Sequence, residues 1–178
     1  MAELNQTIAN SQTGQRMEFV ELRPELLRID SLNPPTPERE PTHVHPRQES
    51  GAEVISGALV FEVDGVERRL AAGESIAIPA GTPHRFWNPG EEDAHSVQFF
   101  RPALDIAAFF ETYFELVRRG ELNRKGELPL LRLAAMVPEF SDEIRPTSPP
   151  WPLVRAMTIV LGPVARRRGL EGRLAYRG

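Results

Sequence analysis

Between residues 17 and 100 the chain breaks into short β-type runs, punctuated about every eight to twelve residues by glycine, asparagine or proline. That rhythm restricts the fold to an antiparallel sandwich or barrel. The expected strands cover residues 17–23, 26–29, 52–56, 58–63, 66–70, 75–78, the Phe86-Trp87 pair and 94–100. Residues 52–56 and 58–63 flank Gly57 like the arms of a hairpin, and Asp64-Gly65 supplies the next turn. Pro34, Pro35, Pro37 and Pro41 block ladder pairing and predict a loop that leads into His43. Residues 1–16, rich in Asn, Gln, Ser and Thr, are expected to form a flexible tail.

Beyond residue 101 the hydrophobic period lengthens. Phe109, Phe110, Tyr113, Phe114, Leu116 and Val117 spread over one broad face of a helix expected from 104 to 119, with Gly120 as its stop. A second helix is predicted for 129–137, ending near Pro138, and a third for 152–168, broken or kinked near Gly162-Pro163. The chain therefore divides into a tail (1–16), a β-barrel (17–101) and a helical extension packed on the barrel (102–178). The extension's aromatic residues suit either packing on the barrel, a dimer contact or a lid.

Composition narrows the function. The chain has 178 residues, a net charge of −4 and a pI near 5.6, which argues against nucleic acid as a partner. It contains no cysteine, so disulfides, thiolate metal sites and thiol nucleophiles are excluded together. The mostly apolar stretch 157–161 is too short to span a bilayer, and the N-terminus carries no apolar leader core. A cytoplasmic location is the expectation.

Three of the four histidines carry the chemistry. His43 and His45 are two apart, so an extended backbone projects both to one face. His84, from a distant strand, would complete a three-nitrogen face suited to Zn, Fe, Mn, Ni or Cu. Glu49 and Gln48 follow closely and are further candidate ligands, with Glu49 alternatively a general base. His95, beside Glu91-Glu92-Asp93, reads as solvated, and Arg47 and Arg85 read as surface charges. Phe61, Phe86, Gln98 and Phe100 are candidate pocket walls. Gln98 and Phe100 share one strand parity and Val97 and Phe99 the other, and alternation alone does not say which pair faces inward.

These segments resemble the two motifs of the cupin superfamily. The second motif is matched residue for residue by Gly73, Pro79, Gly81, His84 and Asn88. The first is matched by His43-x-His45 and a later Gly57. The motifs cover residues 37–88, and the flanking strands extend the likeness to 17–101. Asn123-Arg124-Lys125-Gly126 between helices resembles a bacterial group of single-domain cupins. There are two departures. Pro37 stands where the family has glycine, and Ser50 stands where it has its carboxylate ligand, with Glu49 one residue away. On a regular strand Glu49 points opposite to Ser50. Some polyketide-cyclase cupins are similar in using a glutamine, which singles out Gln48.

The resemblance implies a mainly β double-stranded β-helix with a C-terminal helical extension, and a homodimer. It also implies a metal-dependent enzyme acting on a small organic metabolite, either an oxygenase or a Lewis-acid isomerase or cyclase. The alternative is a metal-free or non-catalytic small-ligand-binding cupin, which the serine at position 50 favours.

Overall fold

A computed structural model describes residues 2–36, 39–123 and 127–178. Pro37, and Arg124, Lys125 and Gly126 of the helix-linking segment, lie outside the described residues. Among the described residues, eleven strands form two facing antiparallel sheets, and three helices lie in the C-terminal part, with the last strand between the second and third. In chain order the strands are β1 (Thr7–Ala9), β2 (Arg16–Arg23), β3 (Leu26–Asn33), β4 (His43–Val44), β5 (Glu49–Ser56) and β6 (Ala58–Val63). Then come β7 (Val66–Ala71), β8 (Ser75–Ile78), β9 (His84–Trp87), β10 (Ala94–Arg101) and, late in the chain, β11 (Arg145–Pro146). One sheet has the order β1-β2-β3-β10-β5-β8 and the other β11-β4-β9-β6-β7. From β3 to β10 the chain passes back and forth between the sheets, apart from the β6–β7 hairpin within one of them, which makes a double-stranded β-helix.

Strand β10 shows why this sequence chooses its inner face. It lies between β3 and β5, and every second side chain (Ala94, Ser96, Gln98, Phe100) is buried between the sheets. Val97 and Phe99 take the outer face. Neighbouring Leu27, Ile29, Phe19 and Ile8 join Phe100 in one apolar cluster. A second cluster, with Ala52, Val54, Leu59, Phe61 and Ile78, fills the other part of the interior. Asn88 donates through Nδ2 to the carbonyls of Asn33 and Glu92 and accepts from the Gly90 amide, so it holds its turn by satisfying backbone groups.

Two expectations about the barrel need correction. Residues 1–16 are not a free tail throughout, because Thr7–Ala9 pairs with β2 and buries Ile8 completely. One apolar side chain in the core anchors a strand too short to show a period. Gly57 does not close a hairpin, since β5 pairs with β8 and β10 while β6 pairs with β7 and β9. It is the corner where the chain passes between sheets. Its φ of +75° suits glycine, and a Cβ there would stand 3.0 Å from the Ala94 backbone. The Asp64-Gly65 hairpin does form between β6 and β7, with both φ angles positive as a type I′ turn requires.

The helices are α1 (Ile106–Arg118), α2 (Leu130–Phe140) and α3 (Trp151–Arg167). Helix α1 buries Ile106, Ala107 and Phe114 against the barrel cluster. It ends in a Schellman motif: Gly120 N–H bonds the Val117 carbonyl at 2.9 Å and Glu121 N–H bonds the Leu116 carbonyl at 3.0 Å. Both later prolines lie inside helices instead of ending them. The bond lost at Pro163 belongs to the carbonyl of the exposed Ile159, where water can serve as partner. Among the described residues no helix is long and apolar enough to cross a membrane.

Glu115 fastens the C-terminus to α1. Fully buried, its carboxylate accepts from Arg118 at 2.8 and 2.9 Å, from Arg119 at 2.8 Å and from the Arg177 amide at 3.2 Å. The Arg118 bond is the leading reason its pKa falls to about 2. A carboxyl depressed in the folded state adds stability above its unfolded value near 4.5, and that stability is lost as pH falls towards 2. Because both arginines are partly exposed, Glu115→Gln is expected to cost about 1–2 kcal/mol at pH 7. Urea titrations at pH 7, 4.5 and 2.5 should show that gap closing only at the lowest pH; a constant gap would contradict the assignment.

Candidate metal centre

The three histidines meet where β4 and β9 cross the barrel interior. His43 and His84 are direct cross-strand partners, and His45 follows β4 by one residue. Ring centroids are 4.6 Å apart for His43 and His84 and 5.1 Å for each of the other two pairs. One nitrogen from each lies within 4.8 Å of the other two. His45 and His84 are buried and His43 is half-buried.

Backbone carbonyls decide which nitrogen each ring presents. Nδ1 of His43 donates to Pro41 at 3.1 Å, Nδ1 of His45 to Glu143 at 2.6 Å and Nδ1 of His84 to Thr82 at 2.8 Å. A carbonyl only accepts, so the proton sits on Nδ1 and the Nε2 lone pair is free, the arrangement found behind metal-bound imidazoles. Burial lowers all three pKa values, that of His45 to about 4, and the charges of His84 and His45 press His43 lower still. Three neutral rings thus converge with no proton to share among their lone pairs. That donor set fits a divalent transition metal.

The other predicted residues divide clearly. Glu49 is not brought to the histidines: its side chain is 42% exposed and faces Arg101 at 3.8 Å. The register of β5 is regular from Glu49 to Val54, and alternation there turns Glu49 away. Gln48 and Ser50 point inward instead and are buried. Gln48 donates through Nε2 to the carbonyls of Pro102 and Ala103 at 2.9 and 2.7 Å, which leaves its Oε1 fixed and without a partner. Phe100 touches the His45 ring edge-on at 5.2 Å. Phe61 and Phe86 stack at 5.4 Å within the apolar cluster, and Gln98 is buried beside Phe100 on β10. His95 is on a strand and pairs with Asp30 at 2.9 Å. Arg47 pairs with Asp142 and Arg85 with Glu62, both at 2.7 Å.

Sequence reasoning missed two contributors. One is the segment after α2: β11 pairs with β4, and the Glu143 carbonyl orients His45. A backbone acceptor has no residue signature. The other is Glu40, three residues before His43. The residue is exposed, and packed protein around its carboxyl raises the pKa by desolvation. Its charge also helps raise the Tyr113 phenol of α1 to about 12, after burial. A carboxylate next to the first histidine was the available signal.

Comparison with known proteins identifies the barrel. Residues 33–100 match the family model of the cupin domain. That stretch of the chain is a cupin domain. A solved RmlC-like cupin from Shewanella frigidimarina superposes with a TM-score of 0.50 at 24% identity, covering 60% of this chain and 93% of that one, which shows the shared fold. Polyketide synthase CurC of Streptomyces cyaneus is 37% identical over 65 residues, 36% of this chain and 42% of CurC. A protein named oxidoreductase from Arthrobotrys oligospora is 28% identical over 121 residues, 64% of this chain and 46% of that protein. This cupin spans less than half the length of these two curated relatives.

Proposed function

We propose that this cupin is a metal-dependent enzyme that moves a proton on a small carbonyl metabolite, in an isomerase- or cyclase-type reaction. The observation carrying the reading is the convergence of three neutral imidazoles, each with Nδ1 tied to a carbonyl. His43, His45 and His84 would hold the ion, and Gln48 Oε1 would be a fourth oxygen ligand already oriented by its own amide bonds. A divalent ion held there supplies Lewis-acid polarisation of a substrate oxygen. Similarity to the polyketide synthase protein CurC supports carbonyl chemistry.

In this reading Glu40 is the base. A carboxyl raised by desolvation towards neutral pH can both take and return a proton. The C–H bond next to the substrate carbonyl breaks and its proton passes to a Glu40 oxygen. The freed electron pair forms the enolate double bond as the carbonyl pair moves onto oxygen. Glu40 then returns the proton to the enolate carbon, or to another atom of the product. Phe100 limits the space beside His45, and Phe110 of α1 packs behind it at 5.7 Å.

The test is proton–deuterium exchange in D2O, followed by NMR, for a panel of small ketones and hydroxyketones with zinc-loaded protein. Exchange should be catalysed by the parent, with a pH–rate limb towards neutral pH that Glu40→Gln removes while leaving zinc content unchanged. No catalysed exchange with any member of the panel would sink the proton-transfer reading. A second reading, oxygenase chemistry at the same histidines, draws on similarity to the oxidoreductase-named protein. It would show as dioxygen uptake by iron-, manganese-, nickel- or copper-loaded protein. Ser50 at the family's carboxylate position supports a third, ligand binding without turnover.

A further inference from the structure

Two more buried polar atoms on the inner face have no hydrogen-bond partner among the described residues: Ser50 Oγ and Gln98 Nε2. Their residues are 4% and 6% exposed, on adjacent paired strands. Phe100 is the direct partner of Ser50 and Ala52 that of Gln98, so Ser50 and Gln98 are diagonal neighbours on one face of the β5–β10 pair. Leaving such groups without partners costs about 1–3 kcal/mol each, so a fold that keeps two side by side has another acceptor for them. Ordinary packing would have filled both positions with apolar side chains, as it does at Ala52, Val54 and Phe100.

We infer that Ser50 and Gln98 form a two-donor cradle for one oxygen atom of the substrate. The cradle lies along the inner wall from His45: Phe100 touches that ring and adjoins both donors, as the partner of Ser50 and two residues from Gln98. It rests on the metal reading only in assigning the second oxygen of the same molecule to the histidine centre. The serine hydroxyl and the amide N–H both donate, so the oxygen they take is an acceptor with excess electron density, as in a carbonyl, an enolate or a carboxylate. Phe100 beside the cradle, and the stacked Phe61–Phe86 pair in the adjoining cluster, favour a flat, largely apolar body. The ligand class is therefore a small, flat compound that carries two oxygen acceptors, such as a 1,3-dicarbonyl or a 2-hydroxycarbonyl. Gln98 and Ser50 determine which compounds are accepted. Neither takes the reacting proton.

Acetylacetone, a planar 1,3-dicarbonyl, is the probe, titrated by calorimetry into the parent, Ser50→Ala, Gln98→Met and the double variant. Each titration is run with zinc and after chelation, with zinc content measured by elemental analysis. The parent should bind, and each single variant should bind about ten-fold more weakly in both states, with unchanged zinc content. The variants should melt at or above the parent's temperature, because an unpartnered polar group has been replaced by an apolar one. Equal affinity in parent and variants, or no saturable binding by the parent, overturns the cradle. Failure of the metal reading looks different: the parent takes up no stoichiometric zinc, while the variants still weaken the probe.

Discussion

Replacing His84 with alanine is expected to weaken zinc binding by more than about 100-fold. Even the loss of a hydrogen bond behind a ligand costs 10–100-fold, and here a ligand itself goes. His43 and His45 would remain, but two nitrogens on one short segment, β4 and the residue after it, make a site open on one side. Competition against a chromophoric chelator measures the affinity, and elemental analysis gives the stoichiometry. His95→Ala is the control, since His95 serves Asp30 on β3 and should bind zinc as the parent does. Metal-free His84→Ala should remain folded, because removing one of three crowded neutral rings leaves only the Thr82 carbonyl without its partner. Equal zinc affinity in His84→Ala and the parent would refute the centre. The depressed pKa of His45, about 4, also means that protons compete weakly at pH 6, so binding should persist there.

The three-histidine site draws on the barrel and the helical extension jointly. Strand β4 has only two residues, and it is held between β9, which carries His84, and β11, which follows α2. The Glu143 carbonyl fixes the His45 tautomer, and Glu143 Oε1 accepts from the Asp105 amide just before α1. Burial raises the Glu143 pKa, which favours the neutral side chain beside that carbonyl. The extension therefore acts on His45 through the backbone, a role that neither a lid nor a dimer contact describes.

How much of this was legible depended on where the information resides. Alternation is a local property, so most strands and the Asp64-Gly65 hairpin could be read directly, as could the opposite parity of Glu49 and Ser50. Choosing Gln98 and Phe100 as the inward pair needed β3 and β5 on both sides of β10, which alternation within one strand does not contain. Gly57 misled because a positive φ serves a hairpin turn and a corner between sheets equally well. Strand β1 has one anchoring residue, Ile8, and one apolar side chain has no period. The three histidines were found because side-chain chemistry is written in the sequence. Their carbonyl partners at Pro41, Thr82 and Glu143 were not, because every residue has a carbonyl.

Gly51 should show how tightly the outer wall constrains the inner one. It is the direct partner of Phe99 on β10 and of Ala77 on β8. Its missing side chain is what lets the Phe99 ring lie across it, with the Arg101 guanidinium 5.4 Å from the ring centre. A Cβ at Gly51 would run into the Ile76 carbonyl and stand 2.6 Å from the Phe99 ring. The ring can rotate away, but the carbonyl belongs to the neighbouring strand and cannot move without opening the sheet. Gly51→Val is therefore expected to cost about 3 kcal/mol, which lowers the melting temperature of a chain this size by roughly 6–12 °C. Gly51→Ala should shift it in the same direction by less. The loss should also be selective for one face of the pocket. Strand β5 carries Ser50, and Gln48 stands immediately before it, whereas the histidines lie on the other sheet or directly after β4. Zinc stoichiometry should survive in Gly51→Val while acetylacetone binding weakens. An unchanged melting temperature would mean that β5 and β8 separate at little cost, and the rigid wall assigned to Ser50 and Gln98 would be lost with it.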